Sequence, residues 1–442
     1  MEEKELLEKK VSAISLGCDK NRVDLEHMLG KIREYGFTVI DDINDAEIII
    51  VNTCSFIAPA VKEAIDNILI AINQKKLKCE KIIVTGCLTE RYFDDIKKEF
   101  PEVDAFVKIK DNDTILSIIF GLYNVEYKNK YRGNERLLTT YSHYAYLKIA
   151  DGCNNGCAYC TIPRIRGRYR SVPLDDLIKE AKTLASQGVK ELIIVAQDIT
   201  RYGEDLYKKN CLIELLDKLS KIKGVEWIRL HYCYPEMVTD ELLEFVENNP
   251  KICKYLDIPL QHIDNKILKD MNRNCDEKQT RELISKLKTK YPNIAIRSTY
   301  IVGFPGETHY QFKKLLNFVK ESKLNNVGFF PFYREEKTKA YYMLGQVPNF
   351  IKKHRLKKIE KVQQEVADNL NNARVGQVVK VLIDYFDENN GNFYGRDEYQ
   401  SPQVDFIFEV EDNNKIECGM FYNIKIIGYN NGVFKGEIEQ WI

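Results

Sequence analysis

Two hydrophobic rhythms alternate along most of this chain. Short apolar runs mark strands, and longer stretches with an apolar residue every three or four positions mark amphipathic helices. In the first part, residues 11–16, 47–51 and 81–85 read as strands. A helical stretch follows each: one from Val23 through Met28, Leu29 and Ile32, one through Val61, Ile65, Ile68 and Leu69, and a third after residue 85. Strand-then-helix repetition predicts a parallel α/β sheet domain, here over 8–125.

The rhythm continues in a second region, 139–369. Candidate strands are 145–150, 192–196, 227–232, 255–260, 294–302 and 327–331, with helices such as 173–187 and 277–290 between them. Six strand–helix units are too few to close an eight-fold barrel, so a partial, laterally open (βα)6 barrel is predicted, with function at the carboxyl ends of its strands. Residues 350–372 are charge-rich and helical, with Leu356, Ile359 and Val362 on one stripe. They read as a connector whose lysines form a solvated face. Over 371–442, β-branched and aromatic runs at 378–385, 403–410, 420–428 and 432–438 are broken by Asn and Gly, which predicts a small antiparallel β barrel or sandwich.

Composition narrows this α/β reading only slightly. The 442 residues carry 66 basic and 66 acidic side chains, so nothing global advertises affinity for nucleic acid or membrane. The amino-terminal stretch lacks the apolar core of a signal peptide, and apolar runs such as 48–51 are far too short to span a bilayer. Twelve cysteines without a secretion signal point to a reducing compartment, the cytoplasm, and to metal or redox use.

The cysteines carry the chemistry. Cys153, Cys157 and Cys160 lie in Asp151-Gly-Cys-Asn-Asn-Gly-Cys-Ala-Tyr-Cys160, so one short loop can wrap three sulfurs around one inorganic centre. A cubane iron–sulfur cluster takes a thiolate for each iron, and three thiolates leave one iron free to hold a substrate. Zinc and a disulfide compete with that reading, although no fourth Cys or His lies nearby and an odd set makes no disulfide framework. Cys18, Cys54 and Cys87 each follow the carboxyl end of a predicted strand, the edge where loops converge and ligands bind in open α/β sheets. They suggest a second three-thiolate cluster. The competing reading is three buried cysteines acting as small apolar residues. Cysteines 79, 211, 233, 253, 275 and 418 lack ligand spacing and read as inert.

The Cys-x-x-x-Cys-x-x-Cys loop after the first strand of a βα series resembles the radical S-adenosylmethionine superfamily. Together with Cys18, Cys54 and Cys87, Gly303-Phe-Pro-Gly-Glu-Thr308 and the terminal β module, the whole chain resembles its methylthiotransferases. Three stretches resemble the ribosomal-protein branch, RimO: Leu16-Gly-Cys-Asp-Lys-Asn-Arg-Val-Asp24, Phe332-Tyr-Arg-Glu-Glu-Lys-Thr338 and Gly395-Arg-Asp-Glu-Tyr-Gln-Ser-Pro-Gln-Val-Asp405. Asp19 stands where the family has a proline, and Asn272-Arg273-Asn274 where it has a more basic, glycine-containing turn.

The resemblance implies a radical-SAM core, a TRAM-like terminal module and two 4Fe-4S clusters. The cluster on Cys153, Cys157 and Cys160 would cleave S-adenosylmethionine to a 5′-deoxyadenosyl radical, using an electron from a reductant such as flavodoxin or ferredoxin. The auxiliary cluster on Cys18, Cys54 and Cys87 would deliver a sulfur methylated by a second S-adenosylmethionine. Tyr159, Gln197, Asp198, Gly303 and Gly306 are candidates for holding S-adenosylmethionine. So is Arg297, through a bidentate fork on the methionine carboxylate, with an internal ion pair as its alternative. His262 reads as a hydrogen-bonded structural residue, and Arg164, Arg166, Arg168 and Arg170 as contacts to an acidic substrate or cover for cluster charge.

Charge discriminates between substrates. The sister branch, typified by MiaB, modifies an adenosine of tRNA, and nucleic-acid binding draws its affinity from basic groups. Residues 371–442 instead hold twelve acidic side chains against six basic ones. A module with six net negative charges should repel RNA and attract a basic protein, which agrees with an aspartate of ribosomal protein S12 as the target. A reading from another class is a zinc scaffold with an acidic docking domain, distinguishable by its lack of colour.

Overall fold

The computed structural model describes residues 2–129, 136–411 and 416–441. They form two compact units. One comprises Met1–Thr140, Asp151–Asn154 and Cys160–Tyr169; the other comprises Tyr141–Ala150, Asn155–Tyr159 and Arg170–Ile442. The division runs through the Cys153–Cys160 loop.

In the first unit, β1 (Lys10–Ser15), β2 (Thr38–Val39), β3 (Ile48–Thr53), β4 (Lys81–Gly86) and β5 (Ala105–Phe106) form one sheet in the order β2-β1-β3-β4-β5. Every pairing is parallel. Along β3, Ile48 and Ile50 join a core with Leu25, Met28 and Ile32, while Ile49 and Val51 join another with Ala64, Ile68 and Leu88. Successive side chains of a strand point to opposite faces, so a strand covered by helices on both sides reads as an unbroken apolar run. The helix expected from Val23 spans Asp19–Tyr35. Its first turn is polar because Asn21 is used inward, donating to the carbonyls of Leu16 (2.8 Å) and Thr53 (3.2 Å).

In the second unit, β6 (Tyr144–Lys148), β9 (Glu191–Val195), β10 (Trp227–Leu230), β11 (Ile252–Asp257), β12 (Ala295–Val302) and β13 (Asn326–Pro331) form a six-stranded parallel sheet with β13 and β6 at its edges. The short strands β7 (Ala150–Asp151) and β8 (Arg170–Ser171) precede and follow the cysteine loop in the chain. The terminal module is a closed barrel of β14 (Val378–Asp387), β15 (Asn392–Arg396), β16 (Ile407–Glu411), β17 (Phe421–Asn430) and β18 (Val433–Trp441), ordered β14-β15-β16-β18-β17. One pair, β16 with β18, is parallel, so the module is not wholly antiparallel as expected. Strand β15 has no counterpart in the sequence reading, because a five-residue strand with one strongly buried aromatic, Phe393, shows little periodicity.

The expected strand over 403–410 shrinks to Ile407–Glu411 because the chain before it leaves the barrel and lies on the parallel sheet. Arg229 donates to Glu398 O (2.7 Å), Asn326 to Tyr399 O (2.9 Å) and Tyr255 to the Asp405 carboxylate (2.8 Å), while Ser401 Oγ sits 2.8 Å from His231 Nε2. Arg396 is fully enclosed and pairs with Asp384 (2.6 Å) and Glu191 (2.8 Å); Glu191 also holds Arg229 (2.7 Å). Below these charges, Leu382 packs with Trp227, Cys253, Tyr255 and Ala295, so module and sheet share one core.

The connector helix spans Asn349–Asn372, but its buried stripe is Lys352, Arg355, Ile359, Gln363 and Val366, not the expected Leu356–Ile359–Val362 line. The polar members are bonded. Lys352 donates to Phe332 O (2.8 Å), Arg355 to Glu307 (2.6 Å) and Gln363 to Leu324 O (3.1 Å). Long stems bury their methylenes while their heads find acceptors, which hydropathy alone does not reveal.

Candidate metal centres

Cys18, Cys54 and Cys87 follow β1, β3 and β4, three neighbouring strands of one parallel sheet. Cys18 caps the helix Asp19–Tyr35 and is exposed; Cys87 opens the helix Cys87–Glu99 and, like Cys54, is buried. Two glycines set these loops. Gly17 has φ +90°, and a Cβ there would stand 2.7 Å from Cys54 Cβ. Gly86 has φ +98°, and a Cβ there would stand 2.3 Å from Thr53 O. Neither position admits a side chain without moving a cysteine-bearing loop. Hydrogen bonds then lock loop to loop, from Ser55 Oγ to Cys87 O (2.8 Å) and from Asn52 Nδ2 to Asn21 O (2.7 Å).

The thiols lie within electrostatic reach of one another. Burial pushes the Cys87 thiol up to about 12, opposed by the Arg166 charge and reinforced by Cys18 and Cys54. Burial raises Cys54 as well, with Cys18 adding to it. Sulfurs whose anions oppose each other are stabilised by a cationic metal core, which deprotonates its thiol ligands outright. The soft donor set and this mutual opposition fit an iron–sulfur group. Among the described residues, no three His, Cys, Asp or Glu side chains lie close enough to share a single metal ion.

Arg166 belongs to the same unit. Its guanidinium donates to Asp24 (2.5 Å), Asp151 (3.1 Å), Asn21 Oδ1 (3.0 Å) and Cys87 Sγ (3.7 Å). Nothing in the sequence marks it out from Arg164, Arg168 and Arg170; its partners do, and Asp24, Asn21 and Cys87 are distant in sequence.

The second set of cysteines is held segment by segment. Cys153 N–H donates to Gly167 O (3.2 Å), and Cys160 Sγ accepts from Ile162 N–H (3.4 Å). Three consecutive residues past the helix Asn265–Asp270 grip the middle of the loop. Met271 O accepts from Ala158 N–H (2.9 Å), the Asn272 amide donates to Gly156 O (3.0 Å), and Arg273 Nη1 donates to Cys157 Sγ (3.6 Å). The Tyr234 hydroxyl is 3.9 Å from the same sulfur.

The candidate S-adenosylmethionine residues have varied surroundings. Asp198 accepts from Asn155 (2.9 Å) and from Thr200 N–H (3.0 Å), and burial raises its carboxyl above the usual range. Gln197 lies just past β9, and the Tyr159 ring meets Phe304 edge-on at 6.5 Å. Gly303 N–H donates to Glu307 (2.8 Å) and Gly306 N–H to Gly345 O (2.8 Å), so both backbone donors are committed within the protein. Arg297 faces Asp405 (3.9 Å) and lines a cleft with Asn326, Gln363 and Phe406. Asp405, 108 residues away in sequence, is an internal carboxylate of the kind weighed for Arg297 beside a methionine carboxylate. His262 is buried, accepts from Asp264 N–H (3.0 Å) and sits 3.7 Å from Glu307. Of the remaining cysteines, 79, 211, 233, 253 and 275 are buried and 418 is exposed.

Comparison with known proteins gives these arrangements a class. Residues 147–319 match the Radical SAM superfamily, 10–108 an uncharacterized protein family, UPF0004, and 375–438 the TRAM domain. Among solved structures, the radical S-adenosylmethionine methyltransferase TsrM of Kitasatospora setae shares the fold (TM-score 0.54, 13% identity, 73% of this chain and 72% of that one). The cobalamin-dependent radical enzyme OxsB does so at TM-score 0.51, with 13% identity over 81% of this chain and 57% of that one. Fold and cysteine loop together define a radical S-adenosylmethionine enzyme.

Closer relatives exist among curated proteins. The ribosomal protein uS12 methylthiotransferase RimO of Thermoanaerobacter sp. (strain X514) is 45% identical over 421 residues, covering 93% of this chain and 96% of its own length. That of Acetivibrio thermocellus is 42% identical over 98% of this chain and 99% of its own. The chain belongs to the RimO family of ribosomal protein uS12 methylthiotransferases.

Proposed function

We propose that this enzyme methylthiolates the β-carbon of an aspartate in ribosomal protein S12, using one S-adenosylmethionine as radical source and a second as methyl donor. The observation that carries the reading is the placement of Cys18, Cys54 and Cys87 at the ends of three neighbouring parallel strands, in a chain that also bears the Cys153–Cys157–Cys160 loop. The first set would hold the auxiliary 4Fe-4S cluster and the second the radical 4Fe-4S cluster. When bound, the radical cluster supplies the electron that splits S-adenosylmethionine, and the auxiliary cluster supplies the sulfur that becomes methylated.

The protein's own part is holding and shielding. Gly17, Gly86 and the Asn21–Asn52 hydrogen bonds fix where the first thiols point. Burial of Cys54, Cys87, Cys153 and Cys157 limits water at a centre where a primary radical would be quenched. Asp198 and Asn155 brace the second loop from β9.

The acidic terminal module suits a basic ribosomal protein, because complementary charge steers encounter. A small one-electron donor such as flavodoxin or ferredoxin would reduce the clusters, and the cytoplasm is where such a target is found. No helix among the described residues is long and apolar enough to cross a membrane.

The test is to incubate anaerobically reconstituted protein and S-adenosylmethionine with S12 or with tRNA and read the mass of each. Methylthiolated S12 with untouched tRNA is expected; modified tRNA with untouched S12 overturns the reading.

A further inference from the structure

The two sets of cysteines each have an arginine on one sulfur, and the two arginines differ in what surrounds them. Arg166, on Cys87, is neutralised by the carboxylates of Asp24 and Asp151. Arg273, on Cys157, has no carboxylate partner among the described residues. Nη1 donates to Cys157 Sγ (3.6 Å), Nη2 donates to Pro259 O (2.8 Å), and the guanidinium lies 4.5 Å from the Tyr234 ring centroid. An aromatic face attracts a cation without cancelling its charge. A half-buried cation whose acceptors are one carbonyl and one sulfur is therefore an electrostatic feature of that sulfur's surroundings.

Its backbone is fixed independently of its charge. Asn272 has φ +58° and donates to Gly156 O, and Met271 O takes the Ala158 N–H, so the turn grips the cysteine loop on either side of Cys157 without help from the guanidinium.

We propose that Arg273 is a positioning residue that sets the reduction potential of the centre on Cys153, Cys157 and Cys160. The inference rests on the assignment of that centre under Proposed function. A thiolate that accepts a hydrogen bond from a cation gives less electron density to iron, and the nearby positive charge stabilises the added electron. Both effects raise the potential and make the cluster easier to reduce. Arg166 instead donates to Cys87, a sulfur of the other set.

The experiment uses the full chain with Cys18, Cys54 and Cys87 all changed to alanine, so that only the second centre can bind iron. In that parent, Arg273→Gln keeps a donor and removes the charge, and Arg273→Lys keeps the charge. Iron and sulfide are counted, and the midpoint potential is read by electron paramagnetic resonance during a redox titration. Arg273→Gln is expected to retain the parent's iron and shift the midpoint to more negative potential. Arg273→Lys should restore much of that shift. An unchanged midpoint in Arg273→Gln at equal iron overturns the proposal, as does a loss of iron that Arg273→Lys fails to restore. A parent that binds no iron at all overturns the assignment of the centre itself, and the two failures are thereby distinguished.

Discussion

Arg166 Nη2 donates to Cys87 Sγ across 3.7 Å, and the two residues are 79 positions apart. The bond ties the chain that has just left Cys160 to a thiol of the other set. Because Asp24 and Asp151 share the same guanidinium, one side chain braces β4's cysteine, the helix after β1 and the start of the Cys153 loop.

Removing that side chain should be costly. Arg166→Ala leaves the mostly buried Asp24 and Asp151 carboxylates without their cation, and breaking such a pair typically costs about 3–5 kcal/mol. Chemical denaturation of the metal-free protein should show the loss, with Arg166→Lys intermediate because it keeps the charge without the planar fork.

The glycines next to two of the cysteines give a cleaner lesion. Gly17→Ala drives a methyl into Cys54, so reconstituted protein is expected to hold about half the normal iron, the share of one four-iron cluster out of two. S-adenosylmethionine cleavage should persist while methylthiolated product disappears. Full iron in Gly17→Ala would show that the loop yields to the methyl without losing the cluster.

The two sets should also separate by chemistry. Cys157→Ala is expected to abolish S-adenosylmethionine cleavage together with about half the iron, and Cys54→Ala to remove the other half while cleavage continues. Iron analysis and quantitation of 5′-deoxyadenosine read both outcomes.

Acid should loosen the second unit at a defined place. Burial works to raise the Glu191 and Asp384 carboxyls, but Arg396, with Arg229 and His143, outweighs it and holds both below their usual range. Carboxylates depressed in the folded state contribute stability that is present above their unfolded values and lost as pH falls through the folded ones. Urea midpoints are thus expected to be level from neutral pH down to the unfolded carboxylate values, about 4, and to drop below that. In Arg396→Gln, where only Arg229 and His143 remain to oppose burial, the drop should begin at higher pH.

Much of the scaffold was readable because periodicity reports local environment. Strands such as Ala295–Val302 and the helix Glu277–Lys290 fall within a residue of their sequence positions, and the doubly covered β3 announces itself as Ile-Ile-Ile-Val. The positions of Cys18, Cys54 and Cys87 just beyond strands were readable for the same reason. Partnerships were not. Arg297 pairs with Asp405, Arg273 reaches Cys157 and Arg396 reaches Glu191 across more than a hundred residues of chain, and no pattern local to an arginine says which distant acid or sulfur folding will bring to it. The buried polar stripe Lys352–Arg355–Gln363 escaped notice because a helix reads as solvated when its inward residues are charged.

The stretch from Arg396 to Asp405, threaded over the parallel strands, anchors the terminal barrel to the sheet and leaves it no free tether to swing on. Under the proposed function, a target docked on that barrel would be held at a fixed span from the parallel sheet, and reach would belong to the target's own loop.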